Sequence, residues 1–257
     1  MTPGSGESCS AQQLYNATAS AWVRDAPSSL SDFTARPALL EMCQPLAQLR
    51  CLDLGCGEGY CTRMLRHAGA AEVLGVDLSG AMIEAARQQE SREPLGLTYQ
   101  CADATRLHWL ADQQFDLVLA VFLFNYLDCD ATRACMSEVA RVLRPGGRFV
   151  FAVPHPLFPY VRAAAPPFYF DVGKQGYYAS RNQRFKGKIW KRDGCELQVQ
   201  LVHKTFADYF EALRAAGFDS LPIVRELTVT PQIAALDPPF FTSLLETPLH
   251  AAFCLRR

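Results

Sequence analysis

Residues 51–60 read Cys51-Leu52-Asp53-Leu54-Gly55-Cys56-Gly57-Glu58-Gly59-Tyr60. A short run, apolar but for Asp53, passes straight into glycines at alternate positions. This pattern predicts a buried strand that ends in a tight loop before a helix. Such a turn lets a ligand approach the backbone closely. Dinucleotide sites use G-x-G-x-x-G, with the pyrophosphate at the helix N-terminus. Here the third glycine arrives one residue early, and Tyr60 stands in the dinucleotide position. Asp53, inside the strand, would repel a pyrophosphate and suits a cationic ammonium.

Working outward, strand and helix alternate. Upstream, residues 1–10 read as a loose polar tail and 11–48 as helical. Pro37 opens a helix there whose buried face is Leu39, Leu40, Met42 and Cys43. Downstream come a helix over 58–68 closed by Gly69, a strand over 72–76 and a helix over 79–89. Strands follow at 97–101 and 115–122, the second apolar on both faces as a central parallel strand should be. A helix over 132–143 and the turn Pro145-Gly146-Gly147 lead to a strand over 148–153. This alternation predicts an α/β, Rossmann-like, doubly wound sheet with helices on both faces.

Beyond His155 the texture changes to proline and aromatics. Arg192-Asp193-Gly194 predicts a hairpin turn into a strand over 196–203. Thr205 caps a helix with apolar residues at Phe206, Tyr209, Phe210 and Leu213, ending at Gly217. Closing strands are expected over 221–228 and 249–255. The reading is one domain over 1–257. Its parts are a helical cap (1–48), a ligand-binding core (50–154), a β-rich insertion (155–203) and a C-terminal helix with closing strands (204–257). The insertion is too short to own a core.

Composition agrees. The chain has 257 residues, 49% apolar and 20% charged, with 25 Lys and Arg against 26 Asp and Glu. A net charge of -1 excludes the whole-surface basic field that grips duplex DNA. The longest apolar run, Leu117–Phe124, falls far short of the ~20 residues of a membrane helix. The first twenty residues lack the apolar core of a secretory signal. None of the ten cysteines forms a C-x-x-C pair, so the usual zinc and thioredoxin spacings are missing. The expectation is a reduced, cytoplasmic, metal-free protein that does not bind membranes.

Further acids follow the glycine loop. Asp77 ends the second predicted strand, near the ~20-residue spacing of an acid that grips a ribose diol. Asp103 ends the third, where it can accept from an exocyclic amine or cap the next turn. Successive strands ending in acids at the ligand edge make a constellation.

The stretches LDLGCGEGY, GVDLSGAMIEAAR, CADA, FDLVLAVFLFNYL and RVLRPGGRFVFAVP resemble the class I S-adenosylmethionine-dependent methyltransferases, in order and spacing, over residues 50–154. The resemblance implies seven strands with the last antiparallel, and S-adenosylmethionine as cofactor. It implies that Gly55 and Gly57 line the methionine part, beside Asp53. Asp77 would hold the ribose, Leu78 and Met82 would flank the adenine, and Asp103 and Ala104 would meet its edge. The backbone near Val121 would face the methionine end. Tyr15 resembles an aromatic that closes over the cofactor in relatives.

Methyl transfer from a sulfonium asks mainly for alignment and exclusion of water. A base helps when the acceptor is a hydroxyl or protonated amine. His155, between Pro154 and Pro156 after the fifth strand, is the leading candidate, and His203 the second. His67, His108 and His250 read as surface or packing residues. Tyr126, His155, Phe168 and Tyr178 are the candidate substrate contacts, and the aromatic insertion the candidate lid.

Arg181, Arg184, Lys186, Lys188, Lys191 and Arg192 form a basic cluster. It reads as a solvated hairpin face, or as a site for an anionic substrate. The expected function is O- or N-methylation of a small molecule, anionic or aromatic. The alternatives are an RNA or protein methyltransferase using the basic hairpin, and a non-catalytic cofactor-binding subunit. An NAD dehydrogenase is disfavoured by the glycine spacing.

Overall fold

The computed structural model describes residues 10–257. The polar tail expected over 1–10 therefore lies, except for Ser10, outside the described residues. In place of one helical stretch, the N-terminal segment holds α1 (Ala11–Trp22), α2 (Leu30–Thr34) and α3 (Arg36–Met42). Ser10 caps α1 in a capping box with Gln13, and Pro37 sits in the first turn of α3.

The core runs β1 (Arg50–Leu54), α4 (Tyr60–His67), β2 (Glu72–Asp77), α5 (Gly80–Arg92), β3 (Thr98–Cys101), β4 (Phe115–Val121), α6 (Cys129–Val142) and β5 (Leu143–Pro154). Helix α6 begins three residues earlier than its apolar pattern suggests. Asp128 explains this, because its side chain accepts from the Ala131 N–H at 2.8 Å and caps the helix there.

The insertion contributes α7 (Phe158–Val161), β6 (Phe168–Asp171), β7 (Arg184–Trp190) and β8 (Glu196–Val202). Then follow α8 (Phe206–Ala215), β9 (Ile223–Leu227), α9 (Pro231–Leu236), α10 (Pro238–Phe241) and β10 (His250–Arg256). The short helices between the closing strands were not expected. Each begins on a proline whose fixed φ suits a first helical turn.

The main sheet has the order β3-β2-β1-β4-β5-β10-β9. Strands β1 to β5 pair in parallel, and β10 runs antiparallel to both β5 and β9. The seven-stranded sheet with its last strand reversed is as expected. Strands β6, β7 and β8 form a separate antiparallel sheet.

Alternate residues of the central strands feed two cores. Val118, Ala120, Phe149 and Phe151 pack with α6 and α8 through Met136, Val139, Tyr209 and Leu213. Leu117, Leu119, Val150 and Ala152 pack with α3, α4 and α5 through Leu39, Leu65 and Ile83. A third cluster backs the small sheet. Phe168, Phe170, Leu197 and Val199 meet Leu30 from the N-terminal segment and Phe241 and Leu249 from the C-terminal one. The insertion thus shares its core with both ends of the chain.

Gly75 shows how tightly β2 is packed. A Cβ there would lie 2.7 Å from the Tyr99 ring and 3.0 Å from Cys56 Sγ. Gly75→Ala is expected to cost about 1–3 kcal/mol through overpacking. Thermal denaturation should show it as a drop of roughly 2–4 °C per kcal/mol. An unchanged midpoint would contradict this packing.

Candidate functional site

Strand order turns back on itself between β1 and β4. The loops leaving those two strands therefore diverge and open a crevice. A cavity of about 390 Å³ occupies it. Its lining includes Tyr15, Asp53, Gly55, Gly57, Asp77, Leu78, Met82, Asp103, Ala104 and Val121, so the candidate cofactor residues converge on one space. Candidate substrate contacts Tyr126 and Phe168 line it too.

Local hydrogen bonds build this wall. The Gly55 and Cys56 N–H groups donate to the Val76 carbonyl at 2.7 and 3.1 Å, which docks the glycine loop on the end of β2. Asp77 then ties two loops together. Its carboxylate accepts from the Gly57 N–H at 2.9 Å and the Ser79 N–H at 2.8 Å. Gly57 has φ +56, and a Cβ there would meet nothing within 4 Å. Both the left-handed backbone and the open approach to the cavity favour glycine here. Burial raises the Asp77 carboxyl, and the backbone N–H donors oppose that shift. Asp103 also acts as a cap, accepting from the Thr105 N–H and hydroxyl at 2.8 Å each.

Asp53 is buried at the back of the glycine loop. One carboxylate oxygen accepts from the Thr62 hydroxyl at 2.7 Å, and the other has no partner among the described residues. Burial pushes its pKa up to about 7, with Thr62 opposing and Asp77 adding to the rise. A buried acceptor of this kind fits a cationic ligand group.

Sequence reasoning missed a charged network beside it. Arg24 bonds Glu58 at 3.1 Å and Asp32 at 3.2 Å. Arg63 bonds Glu58 at 2.8 Å, and Arg36 bonds Asp32 at 2.8 Å. Three guanidiniums share two carboxylates, which leaves positive charge next to a cavity that Arg24 and Arg36 both line. Asp32 and Arg36 stand four residues apart, a spacing visible in the sequence, but Arg24 and Glu58 come from separate segments, so the network as a whole was not.

Helix α1 closes the opening. Gln12 donates to the Leu78 carbonyl at 3.0 Å, and the Ser79 hydroxyl donates to Asn16 at 2.6 Å. Tyr15 meets Tyr126 hydroxyl to hydroxyl, with the rings edge-on at 5.3 Å.

The candidate bases fall elsewhere. His155 is buried and does not line the cavity. Its Nε2 lies 2.7 Å from Glu226 Oε1, and its Nδ1 accepts from the Leu157 N–H at 3.1 Å. Both ring nitrogens are engaged in holding the turn after β5 to β9. His203 is wedged between Tyr160 and Tyr177, with Nε2 on the Tyr177 carbonyl at 3.0 Å. Tyr178 is 82% exposed on the outer surface. The structure therefore argues against direct substrate contact by these three residues. His250, read from the sequence as a surface or packing residue, does line the cavity, and so does Asn125.

The basic cluster is largely spent inside the chain. Arg181 pairs with Asp208, Lys188 with Glu196 at 2.8 Å and Arg192 with Asp237 at 2.9 Å. Lys191 donates to the Ala21 carbonyl, and Arg184 to Gln200 at 3.0 Å. The ion pairs neutralise Arg181, Lys188 and Arg192, while Arg184 and Lys191 keep their charge beside neutral oxygens. Among the described residues no helix is long and apolar enough to cross a membrane, and no three His, Cys, Asp or Glu side chains gather as a metal's ligands would.

The sheet order and the crevice define a Rossmann-like methyltransferase fold. Residues 52–151 match the family described as "Methyltransferase domain". The crystal structure of an S-adenosylmethionine-dependent methyltransferase from Mesorhizobium loti superposes with a TM-score of 0.64 at 29% identity, over 86% of this chain and 96% of that one. N-demethylindolmycin N-methyltransferase of Streptomyces griseus is 28% identical over 178 residues, 67% of this chain and 70% of that protein. Ubiquinone biosynthesis O-methyltransferase of Coxiella burnetii is 26% identical over 163 residues, 63% of this chain and 56% of that protein. These matches show an S-adenosylmethionine-dependent methyltransferase, consistent with the class I fold, with S-adenosylmethionine as its cofactor.

If the cofactor's ammonium lies beside Asp53, the raised pKa of that carboxyl is expected to make cofactor binding pH-dependent. A cationic ammonium beside Asp53 favours the carboxylate, so binding should release a proton between about pH 4 and 7. Affinity should rise with pH across that window and level off above it. Calorimetry at pH 6 in two buffers of different ionisation enthalpy should give different binding heats. Asp53→Asn should abolish the difference, and equal heats in the wild type would refute the coupling.

Proposed function

We propose that this chain transfers a methyl group from S-adenosylmethionine to an oxygen or nitrogen of a small-molecule acceptor, without a metal. The observation that carries the reading is a half-open cavity with two kinds of wall. The acids and glycines of β1 to β3 form one. Phe122, Phe168, Phe170, Ile189 and Val199 form the other, which suits an apolar or aromatic acceptor. Arg184 lines the same cavity and is bonded to a neutral amide, which supports an acceptor with an anionic group. The relatives named as an N-methyltransferase and an O-methyltransferase support those two target atoms.

The cofactor residues take these roles in our reading. Asp53 faces the ammonium of the methionine part, and the excess guanidinium charge of Arg24 and Arg36 faces its carboxylate. Gly55, Gly57 and the backbone at Val121 border the same part. Asp77 accepts from the ribose diol, Leu78 and Met82 flank the adenine, and Asp103 and Ala104 meet its edge. Bound S-adenosylmethionine supplies a methyl already activated by a sulfonium. The chain's task is then alignment and dryness, and orientation alone can contribute ~7–11 kcal/mol to such a step. Tyr15 and Tyr126 close the space from one side, and the 155–203 insertion serves as the lid from the other.

Two measurements test this. Incubation with methyl-labelled S-adenosylmethionine and separate pools of small amines, phenols, RNA and protein should put label only in the small-molecule pools. Label in RNA or protein alone would refute the acceptor class. His155→Ala should cost about 1–3 kcal/mol of stability through lost buried hydrogen bonds, with turnover per folded molecule nearly unchanged. A fall of ~10²-fold or more in turnover, with the fold intact, would restore His155 as a base.

A further inference from the structure

His250 opens β10 directly opposite Pro154, the last residue of β5. This pairing brings the imidazole to the ligand edge of the sheet. Its ring lies 5.0 Å from that of Phe122, which follows β4, and 6.2 Å from that of Phe168 on the small sheet. His250 thus lies where the aromatic wall of the cavity meets the central strands.

Hydrogen bonding fixes its tautomer. The Thr34 hydroxyl has one proton, and it donates that proton to the Leu30 carbonyl at 3.0 Å. The contact between His250 Nε2 and Thr34 Oγ1 at 3.1 Å must then be donated by the imidazole. Nε2 carries the hydrogen, and Nδ1 is a bare lone pair. Nδ1 is buried and has no partner among the described residues. Burial, Arg36 and His155 all oppose protonation of the ring and hold its pKa near 3, so this lone pair stays free at neutral pH.

Asn125 repeats the pattern. Its side-chain N–H donates to the Gln200 carbonyl at 3.2 Å, which orients the amide. Its Oδ1 is then a second buried acceptor without a partner among the described residues, on another residue that lines the cavity. Native proteins rarely leave buried acceptors unmet. Two of them around an otherwise apolar wall call for a ligand that brings hydrogen-bond donors.

We propose that His250 orients the methyl acceptor by receiving, at Nδ1, a hydrogen bond from the O–H or N–H that is methylated. This rests on the methyl-transfer reading above and narrows it to acceptors whose target atom carries a hydrogen, on an apolar body. The acceptor's lone pair forms the new C–O or C–N bond, and the electron pair of the broken C–S bond stays on sulfur. On oxygen, the methylated product is a far stronger acid than the His250 imidazolium, so its proton passes to Nδ1 and on to solvent. On nitrogen, the hydrogen bond to Nδ1 orients the acceptor, and the product leaves as its ammonium, which gives its proton to solvent. Thr34 acts through His250 as a positioning residue that keeps the Nδ1 lone pair bare.

The test uses the full chain saturated with S-adenosylhomocysteine, labelled with 15N at histidine. Phenol and aniline serve as donor probes, and anisole and toluene as controls without a donor. NMR should show the Nε2–H tautomer of His250, and phenol and aniline should move its Nδ1 resonance while anisole and toluene do not. In His250→Phe the donor probes should bind about tenfold more weakly, as for loss of one hydrogen bond. S-adenosylhomocysteine affinity should be unchanged. His250→Asn, which keeps an acceptor near Nδ1, should recover part of the loss. Thr34→Val should raise the share of the Nδ1–H tautomer.

An Nδ1–H tautomer in the wild type would overturn the proposal. So would failure of the donor probes to bind, or equal phenol affinity in the wild type and His250→Phe. Failure of S-adenosylhomocysteine to bind the wild type would instead count against the methyl-transfer reading itself.

Discussion

The reversal of strand order between β1 and β4 is the constraint on which this molecule depends. Parallel strands must be joined by right-handed crossovers, so β1 to β3 are laid down in one direction and β4 and β5 in the other. The loops after β1 and β4 then lie on opposite faces of the sheet and cannot fill the space between them. The cavity is the result: the loops after the parallel strands form one side, and helix α1 and the small sheet form the other.

The site is held open by buried polar groups in unequal states of satisfaction. Asp77 accepts one backbone N–H on each oxygen, which joins the glycine loop to the start of α5 and leaves further lone pairs toward the cavity. Asp53 is half satisfied, and the network of Arg24, Arg36, Arg63, Asp32 and Glu58 carries one positive charge more than its carboxylates neutralise. Fully paired groups give rigidity, while under-paired ones are where a charged ligand can bind without displacing a partner. An unpaired acid and an excess of cations side by side match the zwitterionic end of an amino acid.

The histidines show the same logic in the uncharged part of the cavity. His155 sits in a conspicuous Pro-His-Pro turn, yet Glu226 and the Leu157 N–H use both of its nitrogens. His250 sits in an unremarkable apolar strand, and the antiparallel pairing of β10 with β5 delivers it to the cavity. The hydrogen-bond inventory around each ring, and not its sequence context, separates a structural imidazole from an available one.

The amino-acid sequence by itself determined the doubly wound sheet, the glycine loop and the acids at the ends of β1, β2 and β3. These are local or periodic features: apolar runs, caps and spacings within a single strand–loop–helix unit. The sheet order also made the convergence of those acids legible, because successive parallel strands end on one edge. Only the tertiary structure decided the rest. Arg24 meets Glu58, Tyr15 meets Tyr126, and Thr34 sets the tautomer of His250 across contacts between residues far apart in the chain. The basic cluster was equally illegible, since Arg181 and Arg192 are paired by Asp208 and Asp237 on later segments. Which polar groups keep a free valence depends on what the folded chain brings to them, and periodicity carries no information about such partners.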